Sequence, residues 1–196
     1  MFIDYVSLLL INMTAGFFLL AYFVYSGLDS PDYTKWAPGF LIVGLVAVSF
    51  GAAMTLTWPL PGSFNMAYGE MSVLLGIIFL VAGLATAKGW DLITVACYAF
   101  FAGCAAVILG IRIINLDLTL SPMLSGIGFI ISGIAGIFAA PTWAFMRANR
   151  PYRVVAAIIL TAAGLIWAAV VYPAYWAHAE SFGEWAPVLM RGAGAP

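Results

Sequence analysis

Hydrophobic positions run almost unbroken along this chain in six stretches, at residues 5–27, 36–58, 66–87, 90–113, 120–146 and 153–177. Each is long enough, at ~1.5 Å per helical residue, to cross ~30 Å of hydrocarbon. The breaks carry turn chemistry: "GLDSPDYTK", "WPLPGSFN", "KGWD", "NLDLTLSP" and "RANRPYR". The pattern predicts an all-α polytopic membrane protein, with one six-helix transmembrane domain over residues 1–196. Links this short make successive helices antiparallel neighbours.

Small residues recur along these helices at three- and four-residue steps. Helix two carries Gly44, Ala47, Gly51 and Thr55, and helix four carries Ala99, Gly103, Ala106 and Gly110. Helix five has Ser125, Gly128, Ser132 and Gly136; helix six has Ala157, Thr161, Gly164 and Ala168. Such stripes let backbones approach where lipid removes the hydrophobic drive for association. Three runs, "NMTAG" (12–16), "NMAYG" (65–69) and "PMLSG" (122–126), lie early in odd-numbered helices, and Trp36, Trp90 and Tyr152 begin the even-numbered ones. This predicts three helical hairpins, one-two, three-four and five-six. Pro141 and Pro173 are expected to kink or end their helices.

Composition fits the same picture. Of the 196 residues 65% are hydrophobic and 8% charged, against about 25% charged in soluble domains. The net charge of −1 leaves no basic footprint for nucleic acid. Asp4 at the start of "MFIDYVSLLL" argues against a cleavable signal, so the first helix is expected to be retained. Lys35, Lys88, Arg147, Arg150 and Arg153 share one end of the helices, while Arg112 and Arg191 share the other with both termini. The positive-inside rule then makes the basic end cytoplasmic, in the cell (inner) membrane, with both termini outside. Trp36, Trp90 and Trp143 would form the inner aromatic belt, and Tyr5, Trp58, Trp176 and Trp185 the outer one. Cys97 and Cys104, on one helix and roughly 10 Å apart, cannot pair and read as buried packing residues.

Asn12, Glu70, Arg112 and His178 are the costly residues in hydrocarbon. The bland expectation is an ion pair of Glu70 with Arg112, bridged by Asn12, with the helix dipole favouring an anion at Glu70. The functional expectation places Asn12, Asn65, Tyr68 and Glu70 at the outer mouth of a pathway, with Phe129 and Phe138 as apolar constrictions. A metal site from Glu70, Asp117 and His178 lacks any paired-ligand spacing. His178 reads as an interfacial hydrogen-bonding group. No nucleophile–base set, phosphate loop or paired-histidine haem site is visible, so neither an enzyme nor a cofactor is expected.

The run "NMAYGEMSVLLGIIFLVAGLATAKGWDLITVACYAFFAGCAAVILG" and the last-helix run "IILTAAGLIWAAVVYPAYW" resemble the bacterial amide/urea channel family. More weakly, "VAGLATAKGWDLITVACYAFFAG" resembles the acetate–succinate permease family. The "NMTAG … GSFNMAYGE" pattern is similar to a group of small prokaryotic membrane proteins whose function is not established. The channel resemblance implies a six-helix protomer with its own pore, assembled as a homo-oligomeric ring, a hexamer. It implies passive passage of a small neutral or weakly acidic solute of the amide, urea or short carboxylic acid class. The channels' pore tryptophans on helix five have no counterpart before Trp143, and their helix-six glutamate is absent near Ala157. Fold and assembly are what the likeness implies, without urea selectivity. The competing expectation is a non-transporting membrane subunit or assembly scaffold.

Overall fold

The structure, a computed structural model, describes residues 4–180. Trp185 and Arg191, assigned above to the outer belt and the outer charges, lie outside the described residues. The six apolar stretches form α1 (Tyr5–Ser26), α2 (Ala37–Thr57), α3 (Met71–Lys88), α4 (Ile93–Leu116), α5 (Pro122–Ala148) and α6 (Arg150–Glu180). All six are long and apolar enough to cross a membrane. The protein is a six-helix transmembrane bundle.

Local chemistry sets the helix ends. Asp4 caps α1 by accepting from the Ser7 backbone N–H at 3.2 Å. Prolines sit in the first turns of α2 and α5, where their missing N–H has no partner to lose. Trp58 (φ 46°) and Asp117 (φ 51°) end α2 and α4 in the left-handed conformation. Asn65–Glu70 forms one wide π turn leading into α3. Pro141 and Pro173 end neither helix: α5 and α6 continue through both. A helix in lipid has no alternative partners for its backbone, so it bridges a proline that would break it in water.

The bundle does contain three close pairs, but they are displaced by one helix from the expected hairpins. The tightest contacts join α4 to α5, α2 to α3 and α1 to α6, whereas α3 and α4 touch far less. The glycines explain two of the three pairs, α2–α3 and α4–α5. A Cβ placed on Gly103 would lie 2.5 Å from the Gly133 carbonyl oxygen, and one on Gly44 would lie 2.4 Å from the Leu80 nitrogen. These faces are occupied by the partner's backbone.

The two glycine-matched pairs repeat one another. Gly44, Gly51 and the cap Trp58 each precede their counterparts Gly103, Gly110 and Asp117 by 59 positions. Gly69 and Gly76 precede Gly126 and Gly133 by 57, because the intervening loop is two residues shorter. "NMAYG" and "PMLSG" are thus structurally equivalent, but "NMTAG" is not. Gly16 in that run faces side chains of Val43 and Phe79 rather than a partner backbone.

Candidate functional site

The loose meeting of α3 and α4 leaves a cavity of 220 Å³ inside the bundle. Its wall from α1 is the stripe Met13, Phe17, Leu20 and Val24, and that from α3 is Met71, Leu75, Ile78 and Ala82. Both follow the three- and four-residue steps of one helical face. The α4 wall includes Ala96, Ala99, Gly103 and Ala106, with Leu92 just before the helix, so its small side chains open the space. From α5 come Phe129, Ser132 and Phe138, and from α6 Ala156, Ile159 and Leu160. Ile134 and Phe138 both line the cavity and are exposed, making its wall continuous with the bundle surface.

Aromatic side chains stand at both ends. At one end Phe129 packs edge-on against Trp167 with centroids 4.9 Å apart, and lies 5.9 Å from Tyr68. The polar edges of this seal are satisfied within it. Tyr68 Oη donates to Ser125 Oγ at 3.2 Å, and Trp167 Nε1 donates to Ser132 Oγ at 3.0 Å. At the basic end Trp143 donates to Asp91 at 3.2 Å, and Arg147 pairs with the same carboxylate at 2.9 Å. Among the described residues no charged side chain lines the cavity. Thr142 spends its hydroxyl proton on the Phe138 carbonyl at 2.6 Å. Ser132 accepts from Trp167 and keeps its own proton as a donor.

Most of the expected mouth residues lie elsewhere. Asn12 donates to the Val43 carbonyl at 2.9 Å and ties α1 to α2. Asn65 is fully buried and clasps both the N–H and the carbonyl of Leu60, fixing the loop before the π turn. Glu70 is exposed on the outside of the bundle. It forms no ion pair with Arg112, also exposed; the ion pairs among the described residues are Arg147–Asp91, Arg153–Asp29 and His178–Asp4. Tyr68 and Phe129 do meet, as parts of a seal, and Phe138 sits where the cavity reaches the surface rather than at a constriction.

Glu70 stands near a helix end, where the dipole favours an anion and the headgroups are within reach. Glu70→Gln is therefore expected to leave thermal stability within about 0.5 kcal/mol of the parent. A loss of several kcal/mol in an unfolding titration would mean that the carboxylate has an essential partner.

Several other expectations need correcting. Trp36 and Trp143 turn inward, at 6% and 9% exposure, so that of the expected inner belt Trp90 alone is exposed. Cys97 is exposed rather than buried, because it lies on the outward face of α4 with Phe101 and Ile108. His178 Nδ1 lies 2.7 Å from Asp4 and 3.3 Å from Ser7, latching α6 to the start of α1 and meeting neither Glu70 nor Asp117. The described residues hold no group of three His, Cys, Asp or Glu side chains placed for a metal. Trp167, fully buried beside Phe129, is not among the residues expected at the site. An indole in mid-span, away from both interfacial belts, was the available signal.

Residues 1–181 match the family described as a protein of unknown function (DUF981). The chain belongs to that family. No curated protein and no solved structure matches it. The DUF981 match agrees with the likeness to a family of small membrane proteins without an established role. It lends nothing to the likeness to amide/urea channels or acetate–succinate permeases.

Proposed function

We propose that this protein takes up a small, uncharged, largely hydrocarbon molecule from the bilayer into its central cavity, as a membrane-embedded binder of lipid-soluble compounds. The observation that carries this reading is the cavity itself: 220 Å³, no charged side chain in its wall among the described residues, and aromatic side chains at both ends, the Phe129–Trp167 pair at one and Trp143 at the other. An engineered apolar cavity of ~150 Å³ stays dry and binds benzene, so a two-ring molecule or a segment of acyl chain is the matching size. Urea, amides and carboxylates each need several hydrogen bonds or a counter-charge to leave water. Among the described residues this wall offers the Ser132 proton alone. The best ligand therefore bears one acceptor, such as a single carbonyl oxygen, on a hydrocarbon body.

Quenching of intrinsic tryptophan fluorescence tests this, because Trp143 lines the cavity and Trp167 backs its seal. Naphthalene and 1-acetylnaphthalene are expected to quench saturably, and Ala106→Phe, which fills the space, to abolish saturation. Ser132→Ala should weaken the acetyl compound about fivefold, the worth of one hydrogen bond, and leave naphthalene unchanged. Linear quenching that Ala106→Phe does not alter would mean mere partitioning into lipid, and would sink the reading. In proteoliposomes, stopped-flow rates for urea, acetamide, acetate, glycerol and water should equal those without protein. A raised rate for any of them would restore a passive channel, with Phe129 as its gate.

A further inference from the structure

A second hollow lies on the outside of the bundle, between α1 and α6, and its floor is not shared with the central cavity. It is lined by Phe18, Tyr22 and Tyr25 of α1 and by Val154, Ile158 and Leu165 of α6, and has a volume of 560 Å³. Small residues such as Ala157 and Ala162 keep it open. From Val154 to Leu165 is eleven residues, or ~16 Å along the helix, close to half of the ~30 Å hydrocarbon thickness. The groove thus starts at the basic end and stops near the bilayer midplane.

Arg150 stands at its headgroup end, 5.8 Å above the Tyr25 ring. The neighbouring arginines are neutralised, Arg147 by Asp91 and Arg153 by Asp29. Arg150 has no carboxylate among the described residues, so an exposed guanidinium is held over an apolar groove one leaflet long. We infer that this groove binds one anionic phospholipid from the leaflet at the basic end, its phosphate on Arg150 and one acyl chain between α1 and α6. A guanidinium matches a phosphate with two parallel donors, and its stacking on Tyr25 removes freedom that binding would otherwise have to remove.

Native mass spectrometry of the detergent-solubilised full chain, titrated with dioleoyl phosphatidylglycerol or dioleoyl phosphatidylcholine, resolves the first bound lipid. Phosphatidylglycerol is expected to bind about fivefold more tightly, as one basic residue near an anionic headgroup gives. Arg150→Gln should bring the two lipids level, while Lys88→Gln, a charge at the same end away from the groove, should keep the preference. Ala162→Phe should weaken both lipids by occupying the chain's place. Equal binding to the parent protein, or an equal fall with Lys88→Gln, would overturn the assignment in favour of diffuse surface charge. Unaltered binding of both lipids to Ala162→Phe would overturn the groove.

Discussion

Replacing Arg153 with methionine is expected to destabilise the bundle by about 2–4 kcal/mol, toward the upper end of single substitutions. Arg153 is 6% exposed and sits in the first turn of α6, beneath the C-terminal end of α5. Its Nε donates to the Met146 carbonyl, one terminal nitrogen donates to the Arg147 carbonyl at 3.0 Å, and the other pairs with Asp29 beyond α1. The last carbonyls of a helix have no partner within it, and they carry the negative end of its dipole. A fixed guanidinium satisfies two of them and joins α1, α5 and α6 at one point. Methionine fills similar space with no donor, leaving the buried Met146 carbonyl and the part-buried Arg147 carbonyl unpaired. The estimate is held below the range for fully buried pairs because the Asp29 side chain is 63% exposed and water screens it. Asp29→Asn should accordingly cost under about 1 kcal/mol. Denaturant titration in detergent, followed by tryptophan fluorescence, compares the two. Near-parent stability of Arg153→Met would refute the capping role.

How much of this was legible in the sequence divides along physical lines. Six apolar stretches with turn chemistry between them determine six helices, because an unsatisfied backbone in hydrocarbon leaves no other solution. Which face of each helix turns inward was far less legible. In water, a polar face marks the outside; in lipid both faces are apolar, so Trp36 and Trp90 look alike although one is buried and the other exposed. The same loss of contrast hid the cavity, whose α4 wall of Ala96, Ala99 and Ala106 reads as an ordinary packing stripe. Polar residues misled for a different reason. Asn12 and Asn65 have the amides that a solute mouth would need, but each spends its hydrogen bonds on the chain's own backbone. Arg153 looks like one more topological charge, since nothing in "RANRPYR" distinguishes a buried cap from its exposed neighbour Arg150. The glycines were the informative exception: their spacing marked the close faces, although the pairing they produce is shifted by one helix from the hairpins expected.

Gly103→Ala is expected to cost about 3 kcal/mol or more, by overpacking a contact that cannot yield. The added methyl would stand 2.5 Å from the Gly133 carbonyl oxygen and 2.8 Å from the Ile137 nitrogen. Both are backbone atoms of α5, so no rotamer change removes the clash, and the helices must separate. Separation would also undo the contacts at Gly110 and Gly126, which lie seven residues along on each helix and meet the opposite backbone in the same way. Gly164→Ala is the control. There the methyl would meet the Phe18 ring at 3.2 Å, a side chain that can turn, and the change should cost under about 1 kcal/mol. Because Gly44 occupies the same place in the first repeat, Gly44→Ala should match Gly103→Ala rather than Gly164→Ala. Equal, small losses for all three in the same titration would show that the helices slide apart at little cost. In the absence of a hydrophobic drive between helices, backbone proximity is what holds the two glycine-matched pairs, α2–α3 and α4–α5. Glycine at these positions therefore specifies which helices pair, and leaves the α3–α4 seam as the place where a cavity can form.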